Sequence, residues 1–176
     1  MIRIVAGELR GRRLDVDARI RPTMERARKA VFDILSDSVI GANVLDAAAG
    51  SGAYGIEALS RGAKRAEFIE PDAKVRAILL GNLSRLELTG RAHVHGTTIA
   101  AFLTRRVEAR YDLVFHDPPY ADTESSAKDL DGLVKLLAPE GTLFHERGDD
   151  LEPKPLGLAP SDRRRYGTTR FLIYRG

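Results

Sequence analysis

From residue 43 onward, short apolar stretches alternate with longer amphipathic ones. Asn43 to Ala47, Ala66 to Glu70, Ala92 to His95, Tyr111 to His116 and Thr142 to Glu146 have strand composition. Between them, Ala53 to Arg61, Asp72 to Leu88, Thr98 to Arg106 and Glu124 to Leu137 carry apolar residues at helical spacing. This alternation predicts βαβ crossovers and a parallel, doubly wound α/β sheet covered on both faces. Upstream, the apolar stretches Ile2 to Ala6 and Arg13 to Val16 flank Gly7 and Gly11 and predict a β-hairpin. Pro22 and Thr23 then open a helix, with Thr23 as N-cap and Met24, Ala27, Val31, Ile34 and Leu35 on one face. After the Pro-rich stretch 153–160, Asp162 to Tyr166 and Thr169 to Tyr174 meet around Gly167, which predicts an antiparallel hairpin ending the sheet. One domain over residues 1–176 is expected, with 1–36 an appended hairpin and helix and 43–176 the core.

The strand–turn–helix at Val44-Leu45-Asp46-Ala47-Ala48-Ala49-Gly50-Ser51-Gly52-Ala53-Tyr54-Gly55 has the shape of a nucleotide-binding loop. Small side chains let a ligand approach the backbone, and the start of the helix offers free N–H groups. Glu70 closes the next strand, 20 residues beyond Gly50, where a carboxylate can accept bonds from ribose hydroxyls. Gly50, Gly52 and Gly55 literally match the dinucleotide fingerprint, but Asp46 at the strand end would repel a pyrophosphate and suits a ligand carrying an ammonium. Together with a length too short for a separate substrate domain, that favours S-adenosylmethionine over a nicotinamide dinucleotide.

Composition narrows the chemistry further. The chain has no cysteine, which removes disulfides, thiolate nucleophiles and cysteine-based zinc sites. No apolar run approaches the ~20 residues that cross a bilayer, so a soluble, cytoplasmic protein with no membrane contact is expected. Net charge is +3, yet residues 1–30 hold nine Lys/Arg against four Asp/Glu. Arg3, Arg10, Arg12 and Arg13, extended by Arg19 and Arg21, therefore form a basic patch suited to a polyanion, the alternative being a solvated face. Arg163, Arg164 and Arg165 make a second run, whose side chains would alternate between faces in a strand.

The strand Tyr111 to His116 runs straight into Asp117-Pro118-Pro119-Tyr120. The prolines stiffen the turn and remove N–H groups, leaving carbonyl oxygens as acceptors. A target amine can donate to Asp117 and to the Pro118 carbonyl, while Tyr120 offers a face on which a planar base stacks once it leaves its helix.

These two motifs together resemble Rossmann-like class I amino-methyltransferases. Over nearly the whole chain, RIVAGELRGRRL, RPTMERARKAVFDIL, LDAAAGSGAYGIEALSRGA, FIEPD, the Asn82-Leu83 pair, DLVFHDPPY and YGTTRFLIY resemble the RsmD-type family of 16S ribosomal RNA guanine-N2 methyltransferases. The resemblance implies methyl transfer from S-adenosylmethionine to the exocyclic N2 of a guanine in 16S ribosomal RNA or the small subunit, by a monomer. It places Asp46, Gly50, Ser51 and Gly52 at the amino-acid end of the cofactor, Glu70 on the ribose, Asp117, Pro118, Pro119 and Tyr120 around the guanine amine, and Arg21 and Thr23 on the RNA with the hairpin arginines. Ala48, Pro71, Thr97, Thr98 and Asp117 complete the cofactor-binding set. Two positions depart from the family pattern. Ala48 stands where a large or aromatic residue is usual, which implies a looser cofactor floor. Thr97 and Thr98 stand where an acid usually contacts the adenine.

Rival readings are a DNA adenine or cytosine amino-methyltransferase, which would usually need a larger target-recognition region, a protein-amide methyltransferase, and a non-catalytic ribosomal RNA-binding assembly factor, which predicts damage at 117–120. No metal site is expected from the four histidines: His93 and His95 share a strand face without an acid cluster, and His116 reads as packing. Asn82, within the apolar stripe Val75, Ile78, Leu79, Leu83 and Leu86, reads as a pin between its helix and a nearby loop.

Overall fold

The computed structural model describes residues 2–17, 25–105, 108, 110–118, 123–147, 159–167 and 169–176. At its centre is a seven-stranded sheet. Strands β3 (Asn43–Asp46), β4 (Arg65–Ile69), β5 (Ala92–His95), β6 (Tyr111–His116) and β7 (Leu137–Arg147) run parallel. The hairpin β8 (Asp162–Tyr166) and β9 (Thr169–Arg175) adds two more, with β9 antiparallel to β7. Strand order is β5-β4-β3-β6-β7-β9-β8, so the winding reverses between β3 and β6. In open α/β sheets that boundary, at the carboxyl ends of the strands, is where ligands bind.

Each face buries its own core. Helices α1 (Glu25–Leu35), α2 (Ala53–Ser60) and α3 (Ala73–Arg85) pack on one side, where Phe32, Ile56 and Leu79 share a core with Phe115 of the sheet. On the other, α4 (Ile99–Leu103) and α5 (Thr123–Val134) cover Leu45, Val114, Leu143 and Leu172 with Phe102, Leu130 and Leu133. Asp72 caps α3 by accepting from the Lys74 and Val75 N–H groups, and Thr98 caps α4 through the Ala101 N–H.

Several boundaries differ from the sequence reading for identifiable reasons. Leu137 opens β7 instead of closing α5, because it pairs with Tyr111 across the ladder. In α1 the buried stripe turns toward Arg28 and Phe32, leaving Ile34 at its margin 37% exposed. Thr23 and the expected helix start lie outside the described residues. The N-terminal hairpin shortens to β1 (Ile2–Arg3) against β2 (Arg13–Leu14). Its backbone is diverted: the Val5 and Ala6 N–H groups donate to the Glu57 carboxylate at 2.8 and 3.0 Å, and the Glu8 N–H donates to the Ser60 carbonyl. At Gly7, φ is +82° and a Cβ would lie 1.9 Å from the Ser60 oxygen, so only glycine permits this approach.

The hairpin is consequently part of the fold and not an appendage. Ile2, Ile4 and Leu14 sit in the same core as α1 and the sheet, and all eight residues of α2 are buried between sheet and N-terminal layer. Glu57, fully buried, also receives Arg61 at 2.8 Å and lies 3.5 Å from the buried Arg28, whose guanidinium in turn donates to the Arg3 carbonyl.

Candidate active site

The glycine loop leaves β3 with its backbone tied to both neighbours: Ala47 N–H donates to the Phe115 carbonyl and Ala49 N–H to the Ile69 carbonyl. Gly50 and Gly52 have φ of +53° and +84°, and a Cβ on Gly52 would lie 2.5 Å from Leu79 Cδ1. Gly55 serves packing instead, since a Cβ there would meet the Phe68 ring at 2.3 Å. Asn82 is the pin that the sequence suggested: its Nδ2 donates to the carbonyls of Ser51 and Asp15, and its Oδ1 accepts from the Asp15 N–H and from Arg85.

Four carboxylates mark the carboxyl ends of adjacent strands. Glu70 follows β4, Asp46 ends β3, Asp117 follows β6, and Glu146 is the penultimate residue of β7. Asp46, 2% exposed, accepts from the Gly55 N–H at 2.9 Å. Burial pushes its carboxyl up to about 7, with the charges of Asp117 and Glu70 adding to the rise and the Gly55 bond opposing it. Glu70 buttresses the loop through both oxygens, accepting from Gly50 N–H at 3.0 Å and Asp72 N–H at 2.9 Å. Its carboxyl is also raised, chiefly by burial. Each Glu70 oxygen retains lone-pair capacity for a ligand hydroxyl.

Ala48, Gly50 and Thr97 are half-buried and Ser51 is buried, while Pro71 and Thr98 are exposed. Thr98 uses its hydroxyl as the α4 cap. Asp117 and Pro118 are half-buried, one strand from Asp46. Pro119 and Tyr120 lie outside the described residues, as do Arg21 and Thr23.

Two residues at this site were not singled out from sequence. Tyr54, in the first turn of α2, stacks on Phe115 with centroids 5.0 Å apart and donates its hydroxyl to Glu146 Oε2 at 2.5 Å. Burial, then the charges of Glu146 and Asp117, hold the phenol well above its ordinary range, so it stays protonated. Glu146 lies one step past the paired His116 and His145, in line with Asp117. Tyr54 reads in sequence as one more loop residue, and only the register of β6 on β7 reveals Glu146.

The histidines are held by their surroundings. His116 stacks on His145 at 4.8 Å, and burial, then His145, lowers its ring well below the ordinary value, so it is neutral. His95 lies 2.6 Å from Glu67 and against His93. No group of three potential metal ligands occurs among the described residues.

The described N-terminal arginines do not converge on this site. Arg3, Arg10, Arg12 and Arg13 are exposed, and the hairpin meets the last residues of α2 and α3: Leu9 N–H donates to Ser60 Oγ, Arg12 donates to the Arg85 carbonyl, and Arg85 donates to the Arg13 carbonyl. The hairpin is linked to the glycine loop through Asn82, which donates to both the Asp15 and the Ser51 carbonyls.

The family model described as "Conserved hypothetical protein 95" matches residues 2–175. The chain is 41% identical to the ribosomal RNA small subunit methyltransferase D of Escherichia coli (strain K12) over 147 residues, covering 82% of this chain and 71% of that protein. It is 38% identical to the protein of the same name from Haemophilus influenzae over 123 residues, 68% of this chain and 64% of the relative. A solved structure of a hypothetical protein from Thermus thermophilus is 33% identical, covers 99% of each chain and superposes with a TM-score of 0.86. Matched by that family model along almost its whole length, the chain belongs to the conserved hypothetical protein 95 family, that of the ribosomal RNA small subunit methyltransferase D proteins.

Proposed function

We propose that the protein transfers a methyl group from S-adenosylmethionine to the exocyclic N2 amine of a guanine in 16S ribosomal RNA, acting in the cytoplasm on the RNA or the small subunit. The observation that carries this reading is the position of Asp117 beside Asp46, across the boundary where the strand order reverses. A cofactor at Asp46 and a base at Asp117 then meet end to end.

The residues fit the cofactor. Asp46 would face its ammonium, the Gly50-Ser51-Gly52 backbone would approach its amino-acid end, Glu70 would accept from its ribose hydroxyls, and Ala48, Pro71, Thr97 and Thr98 would border the rest. When bound, the cofactor supplies an electrophilic methyl on a positively charged sulfur. A guanine amine is a weak nucleophile because its lone pair is delocalised into the ring. Asp117 and the Pro118 carbonyl would accept its two hydrogens and favour a more tetrahedral nitrogen, while Pro119 stiffens the turn and Tyr120 stacks on the base. The N–C bond would form as the S–C bond breaks, positive charge would pass from sulfur to nitrogen, and the nitrogen would release its proton afterwards, so no strong base is needed before attack.

Arg3, Arg10, Arg12 and Arg13, with Arg21 and Thr23, would hold a separate part of the RNA. The test is methyl transfer from labelled cofactor to small subunits lacking the modification, followed by nucleoside mass analysis. N2-methylguanosine is the expected product, and a different methylated nucleoside or no transfer would overturn the assignment.

A further inference from the structure

The sheet sets the C-terminal arginines at the same end as the Asp117 turn. In the β8–β9 ladder Arg165 lies opposite Arg170, and in the β7–β9 ladder Arg170 lies opposite Arg147. Residues paired in register share a face, so the three arginines form one row running across the strands. Arg163, two residues before Arg165, shares that face. Arg164 turns to the other, where its guanidinium lies 2.8 Å from Asp162.

The inner end of this row adjoins the site. Arg147 follows His145 by two residues, and His145 pairs with His116, the residue before Asp117. Arg165 is three strands from β6, on the order of 14 Å at ordinary strand spacing. Accessibility rises along the row: Arg147 is buried, Arg170 half-buried, and Arg163 and Arg165 exposed on the edge strand. The hairpin arginines belong to a separate layer, beside Ser60 and Arg85.

We propose that Arg163, Arg165 and Arg170 contact phosphates of the RNA strand next to the nucleotide held at Asp117. The proposal rests on the RNA-methylating reading above and adds the surface that delivers the target to it. Guanidinium forks match phosphate oxygens, and a row at the rim of the site sets the register of the strand without reading its sequence. Arginines on an edge strand also keep a second sheet from pairing with it, and the experiment must separate the two roles.

The test compares the wild type with Arg163→Gln/Arg165→Gln/Arg170→Gln and with Arg10→Gln/Arg12→Gln/Arg13→Gln, which removes the same charge from the hairpin. RNA affinity is measured against salt on unmodified 16S ribosomal RNA, and KM is measured in the transfer assay. The C-terminal variant is expected to lower the salt slope by about 2, at about 0.7–0.9 per lost phosphate contact, and to raise KM for RNA by about tenfold or more. Cofactor affinity should be unchanged, and the corresponding lysine triple should restore most of the slope.

A C-terminal variant with wild-type slope and KM would overturn the proposal; self-association in its place would assign the arginines to guarding the edge. If the triple fails to fold, Arg165→Gln alone, at an exposed position, carries the same comparison for one contact. Should the wild type produce no methylated guanine, the proposed reaction falls, and the salt slopes still decide the surface independently.

Discussion

Replacing Asp46 with Asn should stabilise the ligand-free protein while removing cofactor binding. The folded-state carboxyl titrates near 7 against an ordinary value of 3.8, because it is buried and faces Asp117 and Glu70. That gap corresponds to about 4 kcal/mol. An acid whose folded pKa is raised holds its proton in the native state after the unfolded chain has released it, so folding weakens as pH rises from about 4 to about 7 and then levels off. An Asn at this position can still accept the Gly55 N–H through its carbonyl oxygen and carries no charge to desolvate. In urea unfolding, the variant and wild type should coincide near pH 4 and diverge up to pH 8, with the variant the more stable by as much as about 4 kcal/mol. Calorimetry should show S-adenosylmethionine affinity lost at the same time, since the ammonium has lost its counter-charge. Equal stabilities across the pH range, or a variant less stable at pH 8, would show that Asp46 is not a destabilised carboxylate kept for binding.

Asp117→Ala should abolish methyl transfer while leaving cofactor affinity within a few-fold, and a variant with near wild-type turnover would remove Asp117 from the chemistry. Asn82→Ala should cost about 1–3 kcal/mol in chemical unfolding, because it strands the Ser51 carbonyl and the Asp15 backbone groups. It should also weaken cofactor binding, and unchanged affinity would mean that the loop holds its shape unaided. Removing residues 1–14 uncovers the core around Ile2, Ile4 and Leu14, whose burial amounts to about 5–9 kcal/mol at most. The truncated chain should therefore lose its cooperative thermal transition, and a melt like that of the full chain would show that the hairpin is dispensable.

The βαβ alternation was legible because each element carries its own period, and the glycine loop and Glu70 because their spacing follows from one strand–helix–strand unit. What needed the structure was information carried between distant segments. Glu57 looks like a surface acid on a helix, and its burial follows only from the two N–H groups of residues 5 and 6 that reach it. Glu146 acquires meaning from its register with β6. Arginine charge was visible at both ends of the chain, but that Arg147, Arg170 and Arg165 line up across the sheet depends on the pairing of β7, β8 and β9. Periodicity also overran α5 into Leu137, where ladder pairing outweighs helical spacing.

The diverted hairpin has a consequence for the order in which a growing chain can settle. A two-residue ladder has no independent stability, and its docking partners, Glu57, Ser60, Asn82, Arg85 and Arg91, lie tens of residues downstream. At about 5–20 residues per second, the ribosome needs on the order of 4–15 seconds to make the stretch between Leu14 and Arg91. Through that interval Ile2, Ile4 and Leu14 have no core to enter. The interspersed Arg3, Arg10, Arg12 and Arg13 keep the waiting segment charged and resist its pairing with other nascent chains, whatever they later do in the finished enzyme.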